Sequence, residues 1–126
     1  PPRQGPDREQ IRRLIANVEK AIEQGRPSGV MDYISEDYED IHGFNRRMVQ
    51  RMVIAGTRDR RRMNLSVQVP EVETSGGTAQ FVAEVDLTVD GGEMTHLTVT
   101  GKLRREGGRW MVVSAGGWHQ AGSAYY

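Results

Sequence analysis

At 126 residues the chain has room for one domain built on a single hydrophobic core. Seventeen basic residues balance 17 acidic ones, so no global field favours nucleic acid, and no nucleic-acid partner is expected. The lack of cysteine excludes disulfides and thiolate zinc sites while leaving the redox compartment open, and no apolar run approaches the ~20 residues of a membrane-spanning helix.

Pro1-Pro2-Arg3-Gln4-Gly5-Pro6 is polar and proline-rich and reads as a flexible lead-in over residues 1–6. Asp7, with Gln10 three residues on, offers a capping box for a first helix. Ile11, Leu14, Ile15, Val18 and Ile22 then recur at helical spacing, with Arg12, Arg13, Glu19 and Glu23 read as facing away from the stripe. Gly25 and Pro27 end it. Ser28 is the expected cap of a short second helix running through Val30, Met31 and Ile34. Tyr38 to Ile41 reads as a short strand, His42-Gly43-Phe44 as a turn, and Asn45 as the cap of a third helix. On that helix Met48, Met52 and Ala55 mark one line, with Val49 and Val53 beside it.

From Met63 the period changes to two, and the pairs Gly76-Gly77, Gly91-Gly92 and Gly107-Gly108 cut residues 62–119 into four segments. That pattern predicts an antiparallel meander. Leu65, Val67 and Val69 share one face of the first strand, and Pro70 should mark an edge or bulge, after which the apolar parity moves to Val72. The second strand turns Phe81, Ala83, Val85, Leu87 and Val89 inward, and the third Leu97, Val99 and Leu103. Glu84, Asp86 and His96 fall on the outer face by the same parity. Trp110 to Val113 is apolar on both faces, so this strand should be central or covered on both sides. Twelve-residue strands would span roughly 40 Å, against a radius of gyration of roughly 14 Å for a domain of this size. Strong bending is therefore expected, with Gly101 and Gly116-Gly117 at the bends and the sheet wrapped around the first and third helices.

Two charge clusters have plain readings. Asp32, Glu36, Asp37, Glu39 and Asp40 lack the ligand spacing and turn glycine of a calcium loop, so no metal is expected there. Lys20 and Lys102 are the sole lysines, so arginine supplies fifteen of the 17 basic residues. Seven of these arginines lie between Arg46 and Arg62, with Asp59 the one acid among them. They read as a solvated helix face whose C-terminal charges suit the helix dipole, with docking of an acidic partner as the alternative.

Helix, short helix, short strand, helix and four antiparallel strands resemble the nuclear transport factor 2-like (SnoaL-like) superfamily. The residues that carry the likeness are Met31-Asp32-Tyr33-Ile34-Ser35-Glu36-Asp37-Tyr38-Glu39-Asp40, at the passage from second helix to first strand, and the closing Gly107-Gly108-Arg109-Trp110-Met111-Val112-Val113. The resemblance covers about residues 8–120 and is narrowest with small bacterial members that are exported or lipid-anchored and lack an assigned activity. It implies an α+β, cystatin-like cone over residues 7–120, a tail over 121–126, and a signal or anchor, if there is one, upstream of Pro1. The superfamily hosts isomerases, dehydratases, cyclases and plain binding domains, so the fold leaves the function open.

Enzymes of the resembled superfamily place an Asp or His base inside the cone, opposed by hydrogen-bond donors. Here the inward faces of the middle strands are aliphatic or aromatic, which counts against such a site. The residues left for catalysis are Asp40 or His42 as base, with Tyr38 or Tyr33 as donor. The expected pocket residues are Tyr33, Phe44, Phe81, Leu97, Trp110, Trp118 and His119, and no cofactor is expected. The leading expectation is binding of a small apolar or amphipathic ligand in the cone, or action through a homodimer formed on the outer sheet face. A small isomerase, dehydratase or cyclase is the alternative, followed by an interaction module using the arginine-rich helix.

Overall fold

The computed structural model of the protein describes residues 4–58 and 62–119. Helix α1 (Gln4–Glu23) leads to α2 (Pro27–Met31) and α3 (Arg46–Arg58). Strands β1 (Met63–Ser75), β2 (Thr78–Val89), β3 (Thr95–Glu106) and β4 (Arg109–Gly116) then form one antiparallel sheet in the order β1-β2-β3-β4. This is the α+β meander anticipated from the glycine pairs, and the turns show why glycine is needed. Asp90 and Gly91 both adopt positive φ (54° and 72°), as do Gly107 and Gly108 (57° and 83°), the backbone of a tight hairpin whose twist matches its strands.

The inward parity holds along the sheet. Val72, Phe81, Ala83, Leu87, Leu97 and Leu103 are buried, whereas Thr98, Thr100 and Lys102 are exposed. Pro70 sits in the register shift between Gln68 and Glu71 on edge strand β1, where its missing N–H breaks no continuous ladder, and Val72 returns to the inner face opposite Phe81. Gly101 faces Phe81 across β2 and β3, and a Cβ there would lie 2.2 Å from the Phe81 ring. The ring therefore fills the space a side chain would take. A second register shift follows at once, between Lys102 and Leu103. β4 ends the named sheet, but its outer edge is covered. Ser35 N–H donates to Val112 O, Val112 N–H to Tyr33 O, and Glu39 N–H to Val113 O.

Several local expectations are corrected. Helix α1 begins at Gln4, so Asp7 lies within its first turn and caps nothing; Pro6 fits there because the first-turn amides have no intrahelical partner. Asp7 pairs instead with Arg105. The second helix starts at Pro27 with Arg26 at the cap position, so Ser28 is inside it, and it stops at Met31. The Tyr38–Ile41 strand is reduced to an isolated bridge between Glu39 and Asn45. Asn45 does cap α3, its Oδ1 accepting the Met48 N–H at 3.0 Å. On α3 the inward line is Val49 and Val53, while Met48 and Ala55 are exposed. Residues 1–3 of the expected lead-in, Arg60 and Arg61 of the arginine cluster, and the tail over 121–126 lie outside the described residues.

The helices do not close on the sheet evenly. Helix α1 lies along β1, and Gly29 lets α2 approach α1 so closely that a Cβ would come 2.7 Å from that of Ala21. Helix α3 leans on α2 and faces the middle strands across open space. That gap is the site.

Candidate functional site

Between the helices and the concave sheet lies a cavity of about 300 Å³. Its wall is built by the stripes already described: Leu14, Val18 and Ile22 from α1, Val49 and Val53 from α3, and the inward residues of β1, β2 and β3. The small residues Ala83 and Val99 stand opposite each other on β2 and β3, which leaves the middle of the sheet hollow. Apolar walls of this kind hold apolar ligands through burial worth roughly 25 cal/mol per Å².

At one side of the cavity Tyr38 and Trp118 close the wall, and behind them sits a polar knot centred on Asp40. The Asp40 side chain is 1% exposed. Its Oδ2 accepts the Tyr38 hydroxyl at 2.6 Å and His119 Nε2 at 3.0 Å, and its Oδ1 accepts the amides of His42 at 3.0 Å and Phe44 at 3.2 Å. Trp118 Nε1 in turn donates to Tyr38 Oη at 3.1 Å and to Ala115 O at 3.2 Å. The His119 ring is packed among Trp118, His42 and Phe44, with centroids 4.0, 4.1 and 4.8 Å away.

The electrostatics follow from these contacts. Burial opposes ionisation of Asp40, but the Tyr38 hydroxyl, the Phe44 and His42 amides and the facing His119 outweigh it and hold the carboxyl below its usual value. Burial, then the hydrogen bond to Asp40, drives the Tyr38 phenol far above its ordinary value. Asp40 is thus a charged, fully bonded carboxylate with little basicity left, and the Tyr38 proton is already committed to it. An ionised carboxylate only accepts, so Nε2 of His119 carries a proton and Nδ1 is the ring nitrogen left over. That Nδ1 is buried and has no partner among the described residues.

Phe81, Leu97, Trp118 and Tyr38 line the cavity. Asp40, His119 and Phe44 join them through the knot but stand behind the wall, and His42 is exposed, tied in through its amide and by stacking on His119. Tyr33 is turned away, accepting Asn17 Nδ2 at 3.0 Å with the Arg109 guanidinium over its ring. Trp110 is buried in the core beyond the cavity, under Arg105. The outer face carries Glu84, Asp86 and His96 as expected, with His96 held between the two carboxylates at 2.6 and 2.7 Å. Among the described residues no group of three or more His, Asp or Glu is arranged to hold a metal.

One wall residue corrects the sequence reading: Glu19 belongs to the cavity, not to the solvent side of α1. The signal was present in the spacing, since Ile15, Val18, Glu19 and Ile22 stand at i, i+3, i+4 and i+7 on one helical face. Its charge argues for an outward position, and the spacing overrides that.

Solved structures share this architecture. A nuclear transport factor 2-like protein of unknown function from Shewanella oneidensis MR-1 superposes with a TM-score of 0.76 at 17% identity, covering 86% of this chain and 96% of that one. A Streptomyces avermitilis protein, provisionally described as a dehydratase from the same family, gives 0.76 at 16% identity over 88% and 94% of the two chains. The chain has the nuclear transport factor 2-like fold. A Nostoc punctiforme domain of unknown function with a cystatin-like fold gives 0.73 at 14% identity, covering 86% of this chain and 74% of that one. No family model matches the sequence, and no match is found among curated proteins. In the nuclear transport factor 2-like frame, the helices and the curved sheet enclose the apolar cone, and the Asp40 knot closes one side of it.

Proposed function

We propose that this nuclear transport factor 2-like domain binds a small apolar or amphipathic molecule in the cone. The observation that carries this is the apolar cavity of about 300 Å³, from whose wall the candidate bases Asp40 and His42 are absent. The volume is at the lower end of the range for small-molecule sites, and at ~30 Å³ per water-sized group it takes roughly ten non-hydrogen atoms. Titration with an environment-sensitive apolar fluorophore tests the reading. Saturable one-to-one binding is expected, and Val99→Phe, which grows a ring into the hollow beside Ala83, should abolish it without unfolding the domain. Equal binding by the folded variant would place the probe elsewhere and refute the cone.

A second reading, an enzyme of the isomerase or dehydratase type, is favoured by the buried Nδ1 of His119, which Asp40 orients and nothing described engages. His119, rather than Asp40 or His42, would then be the base. Hydrogen–deuterium exchange α to the carbonyl of 2-decanone would support this if it disappears in His119→Gln. Exchange at the solvent background rate rejects it.

Self-association through the outer sheet face completes the proposal. His96 offsets the Glu84 and Asp86 charges there, and Met94 at the head of β3 is exposed. Sedimentation should give twice 14.1 kDa, and a 14.1 kDa particle at working concentration removes the dimer.

A further inference from the structure

Among the described residues, the wall of the cone contains a single carboxylate, Glu19. It projects from α1 between the apolar contributions of Ile15, Val18 and Ile22, and it is half-buried, so it stands where the wall meets solvent. The carboxylate makes no hydrogen bond and no ion pair among the described residues. Its neighbour one turn on, Glu23, is engaged elsewhere, accepting the Leu65 N–H at 2.9 Å and fixing α1 to β1. Burial, then the Glu23 charge, raises the Glu19 pKa, as befits a carboxylate set beside apolar surface with a like charge and no counter-ion among the described residues.

The other polar groups of the wall are already occupied. Thr57 Oγ1 donates back to Val53 O or Ile54 O on its own helix, and the Tyr38 and Trp118 protons serve the Asp40 knot. Glu19 is therefore the group through which the cone can recognise a ligand's polar end, and a carboxylate recognises a cation or a strong donor. An anionic or purely acceptor head group would meet repulsion or an unpaired carboxylate.

We propose that Glu19 is the head-group contact of the cone and that the ligand is a cationic amphiphile, an apolar body of roughly ten non-hydrogen atoms ending in a protonated amine. This rests on the cone being a binding site. The amine enters last and pairs with Glu19 between α1 and the end of α3, while the chain occupies the hollow above Ala83 and Val99.

Calorimetric titration with decylamine, decanol and decanoate, each below its aggregation concentration, separates this proposal from the reading beneath it. Wild-type protein should bind decylamine about tenfold or more tightly than decanol, the range of one charge-assisted hydrogen bond, and decanoate least. Glu19→Gln should bring decylamine to the affinity of decanol while leaving decanol binding in place. Decanol binding with no preference for decylamine, or a preference that survives Glu19→Gln, overturns the head-group contact and leaves the cone standing. Failure of all three ligands to bind overturns both.

Discussion

Asp40 collects four hydrogen bonds, three from Tyr38, His42 and Phe44 beside it in the chain and one from His119. Asp40→Asn keeps the shape but turns two acceptor positions into a donor facing donors. Such a change costs about 1–3 kcal/mol, to be read from urea denaturation at neutral pH. The pH dependence has a definite sign. A carboxyl whose folded pKa is depressed contributes stability that is present above its unfolded value, ~3.9, and is lost as pH falls through the folded value. The gap between wild type and Asp40→Asn should be flat above about pH 5 and close progressively below about pH 4. A gap that persists undiminished into strong acid would contradict the charged carboxylate. Asp40 stood out in the sequence as a candidate base, yet its actual role was not legible there. The decisive partner, His119, is 79 residues away, and single-chain spacing carries no signal for such a contact.

Among the elements, the strands present one face to the core and the other to solvent. Leu97 is buried and its neighbour Thr98 exposed, so Leu97→Asp should unfold the domain while Thr98→Asp leaves the melting temperature nearly unchanged. Similar melting temperatures would defeat the assignment. Gly101→Ala drives a methyl into the Phe81 ring and should cost about 1–3 kcal/mol, part of it recovered when Phe81→Leu is added, because the two positions share one space. The strands were readable because period-two patterning and the turn glycines point to the same registers. Helix starts were not. Pro6 and Pro27 are accommodated in first turns, where their missing N–H costs nothing, and that outweighed the capping chemistry of Asp7 and Ser28. The Tyr38–Ile41 strand shrank for a related reason: its backbone groups are spent on the edge of β4 and on the Asp40 turn.

For the molecule as a whole, the bent sheet, the lean of α3 and the small residues at the sheet centre together create one apolar hollow. Parity foretold its apolar lining and the exclusion of Glu84, Asp86 and His96. Its volume could not be read, since that depends on where α3 comes to rest. Trp110 illustrates the same limit, an expected pocket residue that the packing places in solid core rather than in the cavity wall. If the cone is a binding site, the hollow holds a small molecule in the native protein. Native mass spectrometry of gently purified wild type and Val99→Phe tests it most directly. Wild type should carry one small-molecule adduct per chain above 14.1 kDa that organic extraction releases, and the folded variant should carry none. An unliganded wild-type chain that also takes up no apolar probe, or an adduct retained equally by Val99→Phe, would rule out binding in the cone.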